Sequence, residues 1–169
     1  MTAAHTVYLI LGSNQGDRSG QLGQARRLLE QAGLRLRKAS PIYETASWGK
    51  SELPDHLNQA LELQTMRTPD NLLHCIQDIE RRLGRVRQEK WGLRSIDIDI
   101  LFYDGLVQHR PELRIPHPLI AERRFVLAPL ADIAPDLRHP ESGKTVHTLL
   151  LECSDPLAVR PVTDTLPAT

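Results

Sequence analysis

Two acids separated by one residue, Asp97 and Asp99, stand inside the apolar string Ile96-Asp97-Ile98-Asp99-Ile100-Leu101-Phe102-Tyr103. In an extended strand, alternate residues share a face about 6.6 Å apart. Both carboxylates therefore converge on one spot, Ile96, Ile98, Ile100 and Phe102 line the opposite face, and Leu101 and Tyr103 continue the acidic one. Acids are depleted in strands, and neighbouring carboxylates withdrawn from water are unfavourable without a cation or donors to offset them. An all-oxygen pair suits Mg²⁺, whose remaining positions go to water or phosphate. A strand with one solvated face accounts for the same residues, so both readings stay open on this segment alone. It is not an EF-hand loop, because Leu101 and Phe102 stand where a ligand and a glycine are required.

The segment before the acids favours the metal reading. Arg81, Arg82, Arg85, Arg87, Lys90 and Arg94 place six cations in fourteen residues of a chain whose 21 basic and 21 acidic residues otherwise cancel. Basic side chains favour the negative end of a helix, which accounts for Arg81 and Arg82 but not for Arg87 through Arg94. Cations beside Trp91 suit a stacked nucleic-acid base. An adjacent acid pair fits metal plus polyphosphate better, and a nucleoside triphosphate is the expected ligand. It is not held by a Walker loop, since Arg138 stands where Gly143-Lys144-Thr145 would need its first glycine, and no GxGxxG is present.

Local patterns indicate what positions these groups. Val7 to Leu11 reads as a buried strand running into the turn Gly12 to Asp17. Leu22, Ala25, Leu28, Leu29 and Ala32 then fall at helical spacing up to a terminating Gly33. Leu34, Leu36 and Ser40 to Tyr43 are extended, Thr45 to Pro54 is a long loop, and Leu57 to Thr65 alternates as a strand. Thr68-Pro69-Asp70 supplies a cap, a first-turn proline and an acid for a helix running to Gly84. Ile96 to Tyr103 is a strand, Pro111, Pro116 and Pro118 punctuate a loop, and a helix is expected from about Ala121 to Ala131. A short apolar run, Val146 to Leu151, precedes a proline-rich tail. Glu44, Arg110 and His139 are expected at the surface. The order strand, helix, two strands, helix, strand predicts an α+β domain with a largely antiparallel sheet and flanking helices.

Composition narrows the function classes. A chain of 169 residues, 40% apolar and with zero net charge, predicts a single domain, residues 1–169, with no basic excess for non-specific nucleic-acid or membrane binding. Cys75 and Cys153 form neither a CxxC nor a zinc set, so a reducing, cytoplasmic setting is expected. The N-terminus reads as a first strand rather than a signal peptide, and no run is long enough to span a bilayer.

Gly12-Ser-Asn, Pro54-Asp-His-Leu-Asn58, Gly84-Arg-Val-Arg87, Trp91-Gly-Leu-Arg94, Asp97-Ile-Asp99 and Ile115-Pro-His117, followed by Arg123 and Phe125, occur in that order across nearly the whole chain. This ordered set resembles the 6-hydroxymethyl-7,8-dihydropterin pyrophosphokinases of folate biosynthesis. The resemblance implies a ferredoxin-like α+β fold, usually monomeric, that moves the β,γ-pyrophosphoryl group of ATP onto the pterin hydroxymethyl and releases AMP. It implies Asp97 and Asp99 as ligands of two Mg²⁺ ions, and Arg85 and Arg94 as catalytic phosphate-holding arginines. Gln77, Glu80, Arg87, Trp91, Ile100, Arg114, His117 and Arg123 become the remaining ATP-binding residues, with Ile100 at the adenine. Thr45, Ala46, Trp48, His56, Asn58 and Phe125 become the pterin-binding residues. A flat polar heterocycle independently calls for aromatic faces and a rim amide that both donates and accepts.

Four departures from the family pattern stand out. His56 replaces the usual second sandwiching ring, commonly tyrosine, so stacking is expected to persist but weaken and to respond to pH. Pro118 replaces a common tyrosine, and Gln88-Glu-Lys90 leaves the arginine loop one residue short. Trp48 stands where a smaller apolar residue is frequent, as a lid over the pterin would. A nucleotidyltransferase is the competing enzyme reading, but its Gly-Ser normally lies close before the DxD, whereas more than eighty residues separate Ser13 from Asp97. A ligand-sensing or RNA-binding ferredoxin-like module is weakened by balanced charge and 4% aromatics.

Overall fold

The computed structural model describes residues 4–45, 55–84 and 96–162. Strand β1 (His5–Ser13) lies inside the sheet, and every residue from Val7 to Ser13 is buried, as the apolar run requires. It pairs antiparallel with β4 (His56–Thr65) on one side and with β5 (Asp97–Tyr103) on the other. Strand β4 also carries β2 (Arg35–Ala39) and β3 (Tyr43–Thr45) along its other edge, and β3 pairs with β8 (Val159–Pro161). All pairings are antiparallel. The result is an α+β, ferredoxin-like sheet with helices on both faces.

Helices α1 (Arg18–Gln31) and α2 (Pro69–Arg82) cover the face bearing Val7, Leu9, Leu11, Leu61 and Leu63. Helix α2 forms where the sequence places it. Thr68 Oγ1 accepts from the Asn71 N–H at 3.2 Å, Pro69 fills the first turn, Leu72, Ile76 and Ile79 are buried, and Gly84 terminates it at φ +85°. Each fully buried leucine or isoleucine contributes about 1.5–3 kcal/mol. Helices α3 (Arg124–Ile133) and α4 (Val146–Glu152) cover the opposite face over Tyr8, Ile10, Ala60 and Phe102. Among the described residues no helix is long and apolar enough to cross a membrane.

Several elements differ from the sequence expectation. Three strands, not two, separate α1 from α2, because β3 is too short to show a period. The proline-punctuated loop contains a small hairpin, β6 (Gln108–Arg110) and β7 (Leu113–Ile115), joined through Pro111 and Glu112. The expected helix at 121–131 begins as a 3₁₀ turn, Ile120–Glu122, and becomes α-helical only at Arg124. In the tail, β8 is recruited by pairing with β3.

The alternation of β5 also breaks. Tyr8 faces Phe102 and Leu9 faces Ile100, so Leu101 is an extra residue. This bulge sends Phe102 with Leu101 to the α3 face and returns Tyr103 to the α2 face, the reverse of strict period two for both rings. His139 is likewise not a simple surface residue. It lies edge-on to Phe102 at 5.9 Å, and burial lowers its pKa.

Candidate active site

The bulge follows the acids, so Asp97 and Asp99 keep the shared face that their spacing predicts. Gly12 of β1 lies between Asn58 of β4 and Asp97 of β5, and Ile10 lies between Ala60 and Asp99. Asn58 and Asp97 therefore stand two strand spacings apart, about 10 Å, across a floor with no side chain at its centre. Above that floor is a cavity of about 610 Å³ lined by Asp97, Asp99, His56, Asn58, His117 and Arg123, with Phe125 on its α3 side. Residues far apart in sequence are thus assembled at one end of β1, β4 and β5, beside the start of α3.

Gly12 is required by close approach. A Cβ there would lie 2.7 Å from Asn58 Nδ2, below any ordinary contact. Alanine normally favours a strand over glycine by about 0.5–1 kcal/mol, so Gly12→Ala should change the thermal midpoint little. If Asn58 holds the pterin that the resemblance implies, displacing the amide should raise the KM for that substrate on the order of tenfold. Steady-state kinetics beside thermal denaturation check this, and an unchanged KM would remove Asn58 from the pterin site.

Two buried acceptors nearby are orphaned, one on Asn58 in the cavity lining and one on Thr45, expected at the same site but not among the lining residues. Asn58 Nδ2 donates to the Leu11 carbonyl at 3.4 Å, whereas buried Asn58 Oδ1 and Thr45 Oγ1 have no hydrogen-bond partner among the described residues. Leaving each unpaired costs about 1–3 kcal/mol, which a ligand with donors at its rim would recover. Thr45 pairs in register with His56, and Asn14 Nδ2 lies 3.1 Å from His56 Nε2. An amide donor there makes Nε2 the acceptor and places the neutral ring's proton on Nδ1. Arg123 and Phe125 are themselves in contact, the guanidinium carbon 5.6 Å from the ring centroid.

His117 is fixed by its backbone. Its N–H donates to the Leu101 carbonyl at 3.0 Å, and its Nδ1 accepts from the Leu119 N–H at 3.2 Å. The proton of the neutral ring is therefore on Nε2, where it can be donated to a phosphate oxygen. Burial, and then the Arg123 charge, hold its pKa below the ordinary histidine value. The unfolded chain protonates near pH 6.5 while folded His117 resists. Its stabilising contribution is thus complete above that pH and is lost as pH falls below it, until the folded ring also protonates. Thermal midpoints should fall with acidification in that window and less steeply in His117→Gln. His139 accounts for part of the slope that remains.

The other expected nucleotide residues are elsewhere. Glu80 is 5% exposed, and its Oε2 accepts from the Ile98 N–H at 2.9 Å, while Gln77 is exposed on the same helix. Ile100 packs into the α2-side core. Neither Gln77, Glu80, Ile100 nor exposed Arg114 lines the cavity. Ala46, Trp48, Arg85, Arg87, Lys90, Trp91 and Arg94 lie outside the described residues. Sequence reasoning missed Glu122 and the strap Ser154, Asp155 and Pro156 as cavity walls. The sequence reading begins a turn at Gly12, whereas Gly12 and Ser13 belong to β1, and close approach to a ligand is a common reason for a strand glycine.

Comparison with known proteins gives the family. The model of the family described as 7,8-dihydro-6-hydroxymethylpterin-pyrophosphokinase (HPPK) matches residues 8–135, so α4 and the strap lie outside it. A 2-amino-4-hydroxy-6-hydroxymethyldihydropteridine pyrophosphokinase of Methylorubrum extorquens is 42% identical over 92% of this chain and 98% of its own length. The protein of that name from Bacillus subtilis is 46% identical over 75% of this chain and 77% of its own length. A crystal structure of Plasmodium falciparum HPPK-DHPS with pterin and p-hydroxybenzoate superposes with TM-score 0.71 at 16% identity, covering 90% of this chain. This chain spans 44% of that longer one, and the likeness shows the fold alone. From the family match and these relatives, the chain belongs to the 7,8-dihydro-6-hydroxymethylpterin-pyrophosphokinase family.

Proposed function

We propose that this protein transfers the β,γ-pyrophosphoryl group of ATP to the hydroxymethyl group of 6-hydroxymethyl-7,8-dihydropterin in folate biosynthesis. The observation that carries the reading is a single cavity joining an acid pair, a cation and a proton-bearing histidine to a rim amide and an aromatic ring. Asn58 and Thr45 take the heterocycle's polar edge and Phe125 one of its faces, with His56 on the other. This directs the hydroxymethyl toward Asp97, about 10 Å across the strands. The hydroxyl oxygen attacks the β-phosphorus in line, the bond from that phosphorus to its oxygen bridge with the α-phosphate breaks, and AMP leaves with the bridging oxygen. The hydroxyl proton passes to solvent, and no covalent enzyme intermediate is needed. Positioning and charge neutralisation suffice for this chemistry.

Asp97 and Asp99 fit magnesium. Their ligands are all oxygen, both side chains line the cavity, and no third protein ligand clusters with them among the described residues, leaving positions for water and phosphate. Two Mg²⁺ ions held there would neutralise phosphate charge and lower the basicity of the attacking hydroxyl. His117 and Arg123 donate to phosphate oxygens from the α3 side, and the family resemblance assigns Arg85 and Arg94, with Arg87 and Trp91, to the same phosphates. Ile98 turns its N–H to Glu80 and away from β1, so strand alternation turns the backbone of Ile100 to the same outer edge. That edge is where adenine is read, with Gln77 and Glu80 behind it and Arg114 beyond.

The protein works as a cytoplasmic monomer of one domain, 1–169. Both cysteines are unpaired, and the exposed large apolar residues among the described ones, Met66, Val107 and Leu151, are scattered. Protein incubated with Mg²⁺, ATP and the pterin, with a no-pterin control, should give AMP and pterin diphosphate one to one on ion-exchange chromatography. Pterin-dependent ADP or free pyrophosphate would overturn the reading.

A further inference from the structure

Helix α3 begins at the site with no cap of its own. Its N-cap residue, Arg123, makes no side-chain capping bond, although the first N–H groups of a helix have no intrahelical acceptor. The missing acceptor comes from 31 residues downstream, where Asp155 Oδ2 accepts from the Arg124 N–H at 3.1 Å. The same strap grips the Arg124 side chain. The Asp155 carbonyl accepts from Nε at 3.2 Å and the Cys153 carbonyl from Nη2 at 2.8 Å. Asp155 is itself held, because its Oδ1 accepts from the Leu157 N–H at 3.0 Å. Ser154, Asp155 and Pro156 also form one wall of the cavity.

The gripped residue lies directly between Arg123 and Phe125. The Arg124 backbone cannot move without carrying both the phosphate donor and the pterin ring with it. A carboxylate at a helix N-terminus is favoured by the macrodipole as well as by the hydrogen bond. We infer that Asp155 is a positioning residue for pyrophosphoryl transfer, capping α3 in trans so that Arg123 and Phe125 are fixed as one unit over the substrates. The inference rests on the assignment of those two residues to the site.

The test compares five variants of the full chain with the wild type. Asp155→Ala should lower kcat/KM for the pterin on the order of tenfold, chiefly through KM, as a sub-ångström displacement of the binding groups would. Asp155→Asn should recover only part of the loss, because its single acceptor oxygen can serve the Arg124 N–H or the Leu157 N–H but not both. Thr145→Ala removes the bond from Thr145 Oγ1 to the Thr148 N–H that caps α4, at a helix end outside the cavity wall. It should lower the thermal midpoint about as much as Asp155→Ala while keeping kcat/KM within about twofold.

Wild-type kcat/KM in Asp155→Ala, or an equal loss in Thr145→Ala, overturns the positioning role alone. Arg123→Ala and Phe125→Ala report on the underlying assignment. If both turn over as wild type, that assignment and this inference fall together.

Discussion

Asp97→Ala and Asp99→Ala should each reduce AMP formation on the order of 10³-fold, the several kcal/mol that positioned divalent charge supplies to a phosphoryl-type transition state. Pterin affinity should stay within a few-fold, because Asn58 stands two strands and Thr45 three strands away from Asp97. The two acids share one face of β5 about 6.6 Å apart, with buried Ile98 between them. Asp→Asn at either position keeps an oxygen but not the charge and should show an intermediate rate at raised Mg²⁺. Rapid-quench AMP release paired with equilibrium pterin binding separates rate from affinity. Wild-type turnover in Asp97→Ala would end the assignment of the acid pair.

The second large effect is expected at Arg123. Removing its guanidinium should lower kcat/KM for ATP about 10²–10³-fold, as loss of one preorganised donor to developing phosphate charge does. Lysine should recover only part of this, because a point charge cannot reproduce a two-pronged contact with phosphate oxygens. Loss of the guanidinium also removes the charge that helps hold the His117 pKa down. In Arg123→Ala the His117 pKa should therefore rise toward the ordinary histidine value, measurable by NMR titration of the imidazole. An unmoved titration would mean that burial, the larger cause, sets it alone.

The elements that local chemistry specifies were legible. Helix α2 could be read from Thr68, Pro69 and Gly84, and β1 from its apolar run, because caps and periodicities act within a few residues. The acid pair was legible for the same reason, since a spacing of two forces a shared strand face. The β5 bulge was not, because it is a matter of how β1 packs against β5 and leaves no mark on the alternation of β5 itself. Likewise β3 and β8 are three residues each and exist by pairing with each other and with β4.

The amino-acid sequence by itself determined the two carboxylates on one face, the cluster of cations before them, the helices with their caps, and the ordered motifs shared with the pyrophosphokinases. Only the tertiary structure decided that Asn58 and Asp97 flank a glycine floor, that Glu80 is bound to a strand N–H, and that a strap from the tail caps α3 beside Arg123 and Phe125. The physical reason is range. Backbone propensity and capping are settled between neighbours in the chain, whereas pairing and contact between distant segments follow from burying two apolar faces of one sheet at once.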